Sequence, residues 1–573
     1  MAKKLTPIVL ALAMLLVFVG CTQKPVTPPS ETNAAGTAAP EATQEGTASA
    51  GTKNVKTRTS NILTYATRGA ISGKFHPDFS VAAGQDRFVC FVLYEPLVRT
   101  GANNEIKGVL AESWEISDDQ RTVTFHLRQG VKWHDGEDFT AEDVKYTYTA
   151  SATPGYMGYF VAGPQQIEGV EEYANGQADE ISGIKIIDDY TISITTKDVY
   201  GAFFYQIGEL VSIVPEHIWS KVSPDKQHEA NDIMKNPIGT GPFAFQEFVP
   251  DQYVSLVKNE NYWNGTPKID GMIFKPMSPD VGPSAVISGE ADMHQTGMMN
   301  PETIGMLTDA GCTVQELWWT SIRYLILNND RPFFQNKLAR QALAYAIDRQ
   351  GIAENIYYGY GRVENTCYAA DQWGTPDASR INAYEYNPEK AKELFVEAGF
   401  TYQDNILYFN GEPAKLELIY PIGNPNTEKV TLVIQQNFKD IGIDLTVTPM
   451  EIASHNALCQ EGNFDMGMLG NGSVDPDMTW IYASNGASNY QRYRDPKLDE
   501  LLAEGLKYVD QGKRQPIYEE LAVYINDVLP MIPLVSWCDG LIVAPGLEEV
   551  KAQEEAAYIF ANLENWYFSN LAN

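Results

Sequence analysis

The residue types that catalyse reactions or bind metals are scattered along this chain rather than grouped. Its seven histidines include no pair at the helical spacing of metal ligands, and its six cysteines form no CxxC pair. No GxSxG, HExxH or Cys-His pattern is present. Adjacent acids such as Glu142 and Asp143 could serve a glycosidase, but they are also expected on the solvated surface of an acidic protein. The pattern favours binding over catalysis and predicts no cofactor and no metal site.

The composition is that of a large, acidic, globular protein of two or three domains. The chain has 573 residues, with 42 Lys and Arg against 74 Asp and Glu, and a formal charge of −32. This charge argues against nucleic-acid binding, which needs a basic surface to meet phosphate. Apolar residues make up 44% and aromatic residues 11%, so the chain can bury large cores. The 31 tyrosines suit a surface that binds polar organic ligands.

The N-terminus has the pattern of an export signal followed by a lipid-attachment site. Two lysines precede an apolar run at residues 8–19, which is too short to span a bilayer. The run leads to Cys21 in a sequence that resembles a bacterial lipobox. We expect residues 1–20 to be a lipoprotein signal peptide and residues 21–56 to be the lipidated cysteine and a flexible tether. The protein is then exported and anchored at the outer face of the bacterial cytoplasmic membrane, or periplasmic; the alternative is a buried N-terminal helix with an incidental cysteine.

Strand and helix patterns alternate along the rest of the chain. Strands are predicted where small or polar residues alternate with apolar ones between turns, at residues 122–127, 190–194 and 416–420. Helices are predicted at residues 337–349, 388–398 and 428–441; Asn387 caps the second of these and Gly399 ends it. No repeat of solenoid length is present. The interleaving predicts an α/β fold of two lobes.

A set of short motifs, each weak alone, occurs in one order over residues 62–545. It includes Leu110-Ala111-Glu112-Ser113-Trp114, Gly130-Val131-Lys132-Trp133-His134-Asp135-Gly136, Asn236-Pro237-Ile238-Gly239-Thr240-Gly241-Pro242-Phe243, Gly289-Glu290-Ala291-Asp292, Ala346-Ile347-Asp348, Tyr386-Asn387-Pro388-Glu389-Lys390-Ala391 and Asp475-Pro476-Asp477. The ordered set resembles the family 5 extracellular solute-binding proteins, the oligopeptide- and dipeptide-binding components of ABC importers.

The resemblance implies a periplasmic-binding-protein-like clamshell with mixed sheets flanked by helices and an extra domain. Domain I would comprise residues 57–92, 211–316 and 535–573. Domain II would be residues 93–210, and domain III residues 317–534. A ligand would be enclosed between domains I and III as they hinge shut, so that it biases a conformational equilibrium.

The resemblance also implies ligand contacts from several places in the chain. A segment after the first strand would lend backbone groups, polar side chains after the Gly-Glu-x-Asp motif would face the cleft, and a loop in domain III would reach it. Two adjacent tryptophans point to opposite sides of a strand, so one of them could face the cleft. The corresponding residues are Phe79, Val81, Ala83, His294, Gln295, Thr296, Trp318, Trp319, Tyr368 and Trp373. For each of them a core or surface position is the alternative.

The segment before Pro476 departs from the peptide-binding pattern. In peptide-binding relatives an Asp four residues before this proline pairs with the amino group of the peptide, as a buried ammonium requires. This chain has Gly472 there, beside Asn471, so that Asp475 or Asp477 would have to substitute. The departure puts α-amine recognition in doubt. Aromatic side chains near the cleft would equally suit sugar stacking: Trp318, Trp319, Trp373 and Trp480.

Four functions follow from these patterns. The first is a lipoprotein that binds oligopeptides for an ABC importer, with permease subunits and their ATPases as partners. The second keeps the fold and the role but binds an oligosaccharide or another polar organic solute. The third is a secreted hydrolase, and the fourth is a surface receptor or chaperone-like protein without transport. We expect a monomer, because one anchored clamshell suffices, and no nucleic-acid partner.

Overall fold

The computed structural model of the chain describes residues 57–572 except 82, 83, 103, 298, 473 and 552–557. The predicted signal peptide, Cys21 and the tether lie outside these residues, as does the predicted ligand residue Ala83. The described residues belong to one compact unit, Asn54–Asn573. No helix in this part of the chain combines the length and the apolar composition needed to cross a membrane.

The elements of the described residues alternate along the chain. The strands are β1 (Ile62–Thr67), β2 (Val98–Thr100), β3 (Ile106–Gly108), β4 (Ala111–Ile116), β5 (Thr122–Leu127), β6 (Ile184–Asp188), β7 (Thr191–Thr195), β8 (Phe243–Val249), β9 (Tyr253–Lys258), β10 (Gly271–Pro276), β11 (Met293–Thr296), β12 (Thr313–Leu327), β13 (Gly361–Val363), β14 (Thr401–Gln403), β15 (Ile406–Phe409), β16 (Glu412–Pro413), β17 (Lys415–Pro421), β18 (Asp444–Met450), β19 (Met466–Asn471), β20 (Met531–Val543), β21 (Leu547–Glu548) and β22 (Tyr567–Phe568).

The helices lie between these strands. They are α1 (Asp86–Leu93), α2 (Ala141–Ala152), α3 (Val170–Ala174), α4 (Glu216–Trp219), α5 (Asn231–Met234), α6 (Gly282–Ser288), α7 (Pro301–Asp309), α8 (Pro332–Gln335), α9 (Lys337–Ala346), α10 (Arg349–Asn355), α11 (Pro388–Glu397), α12 (Pro425–Asp440), α13 (Ile452–Glu461), α14 (Thr479–Tyr482), α15 (Pro496–Gly505) and α16 (Gln511–Val528). Short 3-10 helices occupy Pro164–Gln166, Pro224–Glu229, Ala378–Arg380 and Leu563–Asn565, and a π-helix occupies Phe204–Glu209.

The largest sheet is mixed and runs through the whole body in the order β18-β17-β19-β12-β20-β11-β1-β10-β9-β8, with β13 paired to β20 beside this path. Its two central strands are long, and each belongs to both halves of the sheet. One end of β20 pairs with β11, whereas the far end of β12 pairs with β19. The strands β12 and β20 therefore tie the two halves together.

The pairing of β12 with β20 is interrupted where the halves meet. The register runs from Thr313↔Val543 to Trp318↔Cys538, resumes at Ile322↔Ser536, and leaves residues 319–321 opposite a single residue. Such a bulge bends a strand and increases its twist. A second register shift follows between Arg323 and Tyr324. The interruption marks the point where the two halves of the sheet meet, and we refer to residues 319–321 as the hinge region.

Each part of the fold has a buried core of its own. One cluster underlies the β1–β10 half and includes Tyr65 and Phe274, and another underlies the β17–β19 half and includes Phe333 and Leu418. A separate four-stranded sheet, β4-β5-β7-β6, covers a third cluster around Phe125. This small sheet lies within residues 93–210, the segment assigned to domain II; the domain boundaries themselves stay a prediction.

The predicted elements correspond to β5, β7, β17, α9, α11 and α12, with differences at two helix ends. Asn387 Oδ1 accepts a hydrogen bond from Lys390 N at 3.0 Å, as expected of the cap of α11. The helix α12 begins at Pro425 instead of residue 428, because Asn424 caps it in the same way. The helix predicted to reach residue 349 ends at Ala346, because the extended Ile347 separates α9 from α10.

Candidate functional site

A cavity of about 410 Å³ lies where the two halves of the large sheet meet. One wall comes from the loops that follow β1, β10 and β11, and the opposite wall from the loop between β17 and α12. The crossing strands β12 and β20, with the segment between α10 and β13, form the third wall. The residues that line it are Arg68, Gln85, Pro279, Gly297, Met299, Arg323, Tyr357, Tyr360, Gly423, Asn424, Pro425, Asn426, Trp537 and Cys538. Loops at the carboxyl ends of strands are where open α/β sheets bind ligands.

The charged side chains that line the cavity are cationic, although the chain as a whole is acidic. Its charged lining residues are Arg68 and Arg323, and its lining contains no Asp or Glu among the described residues. Arg68 Nη1 lies 3.3 Å from Asp539 Oδ2, just behind the lining. Arg323 donates from Nη1 to Thr427 Oγ1 at 2.5 Å, in the first turn of α12. In a protein of formal charge −32, this local excess of cations indicates a site built for a particular ligand.

An aromatic stack stands beside Arg323. The guanidinium carbon of Arg323 lies 5.1 Å from the ring centre of Trp537. The ring of Tyr357 stacks on Trp537 with centroids 6.1 Å apart and an interplanar angle of 24°. These contacts hold the three side chains in fixed positions along one wall of the cavity.

The predicted residues of β11 lie directly behind this cavity. His294 is buried, with Nδ1 3.0 Å from the Ala66 carbonyl oxygen, and burial lowers its pKa. Gln295 donates from Nε2 to Asp539 Oδ2 at 2.8 Å. Thr296 is the last residue of β11, one position before the lining residue Gly297. Gln295 thus positions the carboxylate that holds Arg68.

The carboxylate of Asp539 lies behind the cavity, next in the chain to the lining residue Cys538. Burial raises its pKa, whereas the neighbouring Arg68 and hydrogen bonds from Gln295 and Trp319 lower it. Because Asp539 is already engaged by a cation and two neutral donors, it is not an open partner for a further ammonium group.

The adjacent tryptophans at the hinge have different surroundings. Trp318 donates from Nε1 to Glu316 Oε2 at 2.8 Å, and the guanidinium carbon of Arg362 lies 3.6 Å from its ring centre. Trp319 packs against the core of the β1–β10 half. The pair is thus divided between a charged neighbourhood and a packed one, as opposite faces of a strand allow.

Of the predicted residues of the first segment, Phe79 and Val81 do not line the 410 Å³ cavity, called the main cavity below. Phe79 is buried and stacks on His76, with centroids 4.4 Å apart. Val81 lines a second cavity of about 170 Å³ together with Val474, Arg87 and others. The second cavity therefore joins the segment after β1 to the segment after β19.

The predicted residues of the domain III loop lie near a third, smaller cavity. Trp373 lines this space of about 50 Å³ and packs on Tyr518, with ring centres 5.5 Å apart. Tyr368 is fully buried and donates to the Pro476 carbonyl oxygen at 2.9 Å. Trp480 is 42% exposed and does not line any of these three cavities.

The two aspartates that could replace a missing amine partner are both engaged locally. Asp475 accepts two hydrogen bonds from Arg514, at 2.8 and 2.7 Å, and both side chains are buried. Asp477 accepts hydrogen bonds from Thr479 N and Oγ1, and burial raises its pKa. Asp475 is therefore a structural ion-pair partner, and Asp477 holds a local turn just before α14.

The position before them has no room for a side chain. Asn471 ends β19 opposite Ile322, and Gly472 follows against the hinge. A Cβ atom at Gly472 would lie 2.4 Å from the carbonyl oxygen of Thr320 and 2.6 Å from Ser321 N. Real contacts of a Cβ atom are longer, so an aspartate at this position would force the backbone of the hinge apart.

Sequence reasoning missed the four side chains that supply the charged groups and the aromatic stack of the main cavity: Arg68, Arg323, Tyr357 and Trp537. One signal was available for Arg323, which is a single charge in the otherwise apolar run of residues 322–327. Charged side chains are rarely buried unless they have a partner, so a lone arginine in an apolar strand indicates one. No sequence pattern identifies the other three as cavity residues, because the order of strands in the sheet determines where they lie in the fold.

A metal site has no support among the described residues. No three His, Cys, Asp or Glu side chains of this part of the chain are grouped as metal ligands. Its five cysteines are buried, and none of them forms a disulfide.

Comparisons with known proteins agree on one family. Residues 105–492 match the family described as "Bacterial extracellular solute-binding proteins, family 5 Middle". Heme-binding protein A of Haemophilus influenzae is 28% identical over 502 residues, which cover 84% of this chain and 88% of that protein. The dipeptide-binding protein of Escherichia coli is 26% identical over 529 residues, covering 89% and 94% of the two chains. The structure of the oligopeptide-binding protein AppA from Bacillus subtilis with a nonapeptide superimposes with a TM-score of 0.70 at 24% identity, covering 90% of this chain and 100% of that one.

The buried pair of Asp475 and Arg514 yields a stability prediction. Replacing Asp475→Asn leaves a buried guanidinium without its counter-charge, so we expect the free energy of unfolding to fall by about 3–5 kcal/mol. Urea denaturation measures this change. The matched control is Asp477→Asn, which removes a buried carboxylate that no ion pair holds, and it should cost clearly less. A D475N protein of unchanged stability that has lost solute binding would instead make Asp475 a ligand contact.

Proposed function

Because the chain belongs to the bacterial extracellular solute-binding proteins of family 5, we propose that it captures oligopeptides between its two halves and delivers them to an ABC importer. The membrane partners would be the permease subunits and their ATPases. The alternative solute is an oligosaccharide or another polar organic molecule.

Family membership decides two of the expectations drawn from the sequence. The periplasmic-binding-protein-like α/β fold is confirmed. The family consists of non-enzymatic substrate-binding proteins of ABC transporters, so the chain is a solute-binding protein and the hydrolase hypothesis is excluded. Family members are periplasmic or extracellular.

The observation that carries the proposal is the cavity at the junction of the two halves. Its volume of about 410 Å³ falls in the range of sites for small organic ligands, roughly 300–1,000 Å³. A ligand in it contacts both walls at once, which favours the conformation in which the walls are close together. The second cavity, near Val81 and Val474, offers additional space of about 170 Å³ for a longer ligand.

Closure would proceed about the interruption in β12 and β20. The interruption lies close to residues 316/317 and 534/535. At these two points the chain is proposed to pass between domains I and III. In this proposal domain I is formed by residues 57–92, 211–316 and 535–573, with 93–210 as domain II and 317–534 as domain III. Bending of two strands at one point moves the walls while the sheet hydrogen bonds on either side stay intact.

The choice between peptide and saccharide depends on the groups that meet the ligand. The stacked faces of Trp537 and Tyr357 suit both classes. The positive charge of Arg68 and Arg323 favours a ligand with an acid group, which every unmodified peptide has at its C-terminus and a neutral oligosaccharide lacks. We therefore retain the peptide as the first choice.

Capture is tested with the full chain purified in detergent. In native mass spectrometry we expect adducts with the masses of short peptides, because an enclosed ligand leaves slowly. Trp537→Ala removes one wall of the cavity and should weaken retention at least about tenfold, a loss near 1.4 kcal/mol. Tyr386→Ala, an exposed residue outside the cavity, should retain the adducts. Adducts spaced by hexose units would replace the peptide proposal with the saccharide alternative, and failure to retain or take up any solute from a mixture of peptides and sugars would contradict both.

Anchoring at the outer face of the bacterial cytoplasmic membrane is proposed from Cys21 and the tether that follows it. One lipidated clamshell on a flexible tether can reach the permease as a monomer. We expect Cys21→Ser to move the protein from the membrane fraction to the soluble fraction and to abolish labelling with palmitate. Thr22→Ala, one residue away, should leave both properties unchanged. A Cys21→Ser protein that stays fully membrane-bound would show that the attachment has another cause.

A further inference from the structure

We propose that the captured solute is recognised through an acid group, and that Arg323, Tyr357 and Arg68 hold this oxyanion in the main cavity. The inference rests on the proposed function and specifies which chemical group of the ligand the cavity binds. The chemistry is that of a carboxylate or a phosphate monoester.

Arg323 carries most of this inference because its charge is not balanced by the protein. Its side chain is 7% exposed, and no Asp or Glu of the described residues forms an ion pair with it. One hydrogen bond to Thr427 Oγ1 and the face of Trp537 are its neighbours, while Nε is buried without a partner. Arg340 and Arg349 are also buried without an ion pair, but each donates to several carbonyl oxygens, whereas Arg323 has a single hydrogen bond. A buried guanidinium that lacks acceptors destabilises a fold, so the position of Arg323 on the cavity wall indicates that the missing acceptor comes from the ligand.

Tyr357 adds a second unsatisfied donor on the same wall. It is 4% exposed, its hydroxyl has no hydrogen-bond partner, and its ring is fixed against Trp537. Buried polar atoms are nearly always hydrogen-bonded in a folded protein. Arg323 and Tyr357 are thus two buried donors without acceptors, and they flank the ring of Trp537 on one cavity wall. This part of the cavity lacks a hydrogen-bond acceptor.

Two further features add positive charge from the other two walls of the cavity, one from the loop after β1 and one from the loop before α12. Arg68 lines the cavity, although Asp539 shares its charge. The helix α12, which is 16 residues long, points its N-terminus at the cavity through the lining residues Asn424, Pro425 and Asn426. Its first amides are already capped by Asn424 Oδ1, so α12 contributes mainly the positive end of its dipole.

Recognition of an amine has no comparable support. The described lining of the main cavity contains no carboxylate, Asp475 is paired with Arg514, and Gly472 has no space for a side chain. We therefore infer that the cavity binds the acid group of the ligand and not its amine.

The test uses the full chain and a mixture of casein hydrolysate and yeast extract, which supplies peptides, organic acids and phosphate esters. The mixture is divided into four parts: untreated, amine-acetylated, carboxyl-methylated and phosphatase-treated. Solutes that stay with the protein are released by denaturation and identified by mass spectrometry. We expect acetylation to leave capture unchanged and one of the last two treatments to abolish it. Loss after methylation identifies a carboxylate, and loss after phosphatase identifies a phosphate ester.

Variants test the role of Arg323 in the same assay. Arg323→Gln should lose roughly 10- to 100-fold in affinity for the captured solute, the value of a charge-assisted contact, and Arg323→Lys should restore part of it. The matched control is Arg494→Gln, which removes an exposed arginine paired with Asp330 and should bind as the wild type does. Thermal unfolding of the ligand-free variants checks that each is folded.

The failure of this inference and the failure of the proposed function give different results. Capture that survives both methylation and phosphatase, or that is abolished by acetylation, overturns the acid-recognition proposal and leaves solute capture standing. Undiminished affinity in a folded R323Q protein also overturns it. A wild-type chain that retains no solute from any of the four parts contradicts the proposed function, and the inference with it.

Discussion

The continuity of β12 and β20 through both halves of the sheet is the constraint on which the rest of the structure depends. Each half has its own core, and the two cores are joined in one sheet by hydrogen bonds along these strands. The pairing is interrupted at residues 319–321 and shifts again between Arg323 and Tyr324, so both irregularities lie where the halves meet. Arg323 and Trp537, which line the cavity, flank this place, so the proposed closure would couple the filling of the cavity to the bending of the sheet.

Of the four buried arginines of the β17–β19 half, Arg514 and Arg323 show most clearly the difference between a structural and a functional role. Arg514 meets Asp475 through two hydrogen bonds and also reaches the Tyr518 hydroxyl at 3.0 Å, so its charge is satisfied within the protein. Arg323 has a hydroxyl and an aromatic face instead of a carboxylate. A fold optimised for stability alone would pair or remove such a charge, and functional sites are where proteins retain this cost. Gly472 is also required by the packing, because the absence of a side chain lets the end of β19 lie directly against the backbone of Thr320 and Ser321.

Much of the architecture could be predicted from local patterns, whereas the binding groups could not. Alternation, caps and stops predict β5 and α11 correctly, and the capping pair Asn424-Pro425 carries the same signal as Asn387-Pro388. The side chains of the cavity come from distant segments, which meet only through the order of strands in the sheet. The resemblance directed attention to His294, Gln295 and Thr296 of β11, and of these Gln295 binds Asp539, the partner of Arg68. Arg323 was visible as a lone charge in an apolar strand, but its missing partner becomes evident only from three-dimensional contacts.

The most direct measurement of the central claim is a crystal structure of the protein with its captured solute bound. The account predicts ligand density in the cavity between the loop after β1 and the N-terminus of α12, with an acidic group at the guanidinium of Arg323 and the body of the ligand against Trp537. It also predicts that the pairing of β12 with β20 is retained on both sides of residues 319–321. Density confined to the cavity near Val81 and Val474, or to the outer surface, with Arg323 still without a counter-charge, would contradict the account.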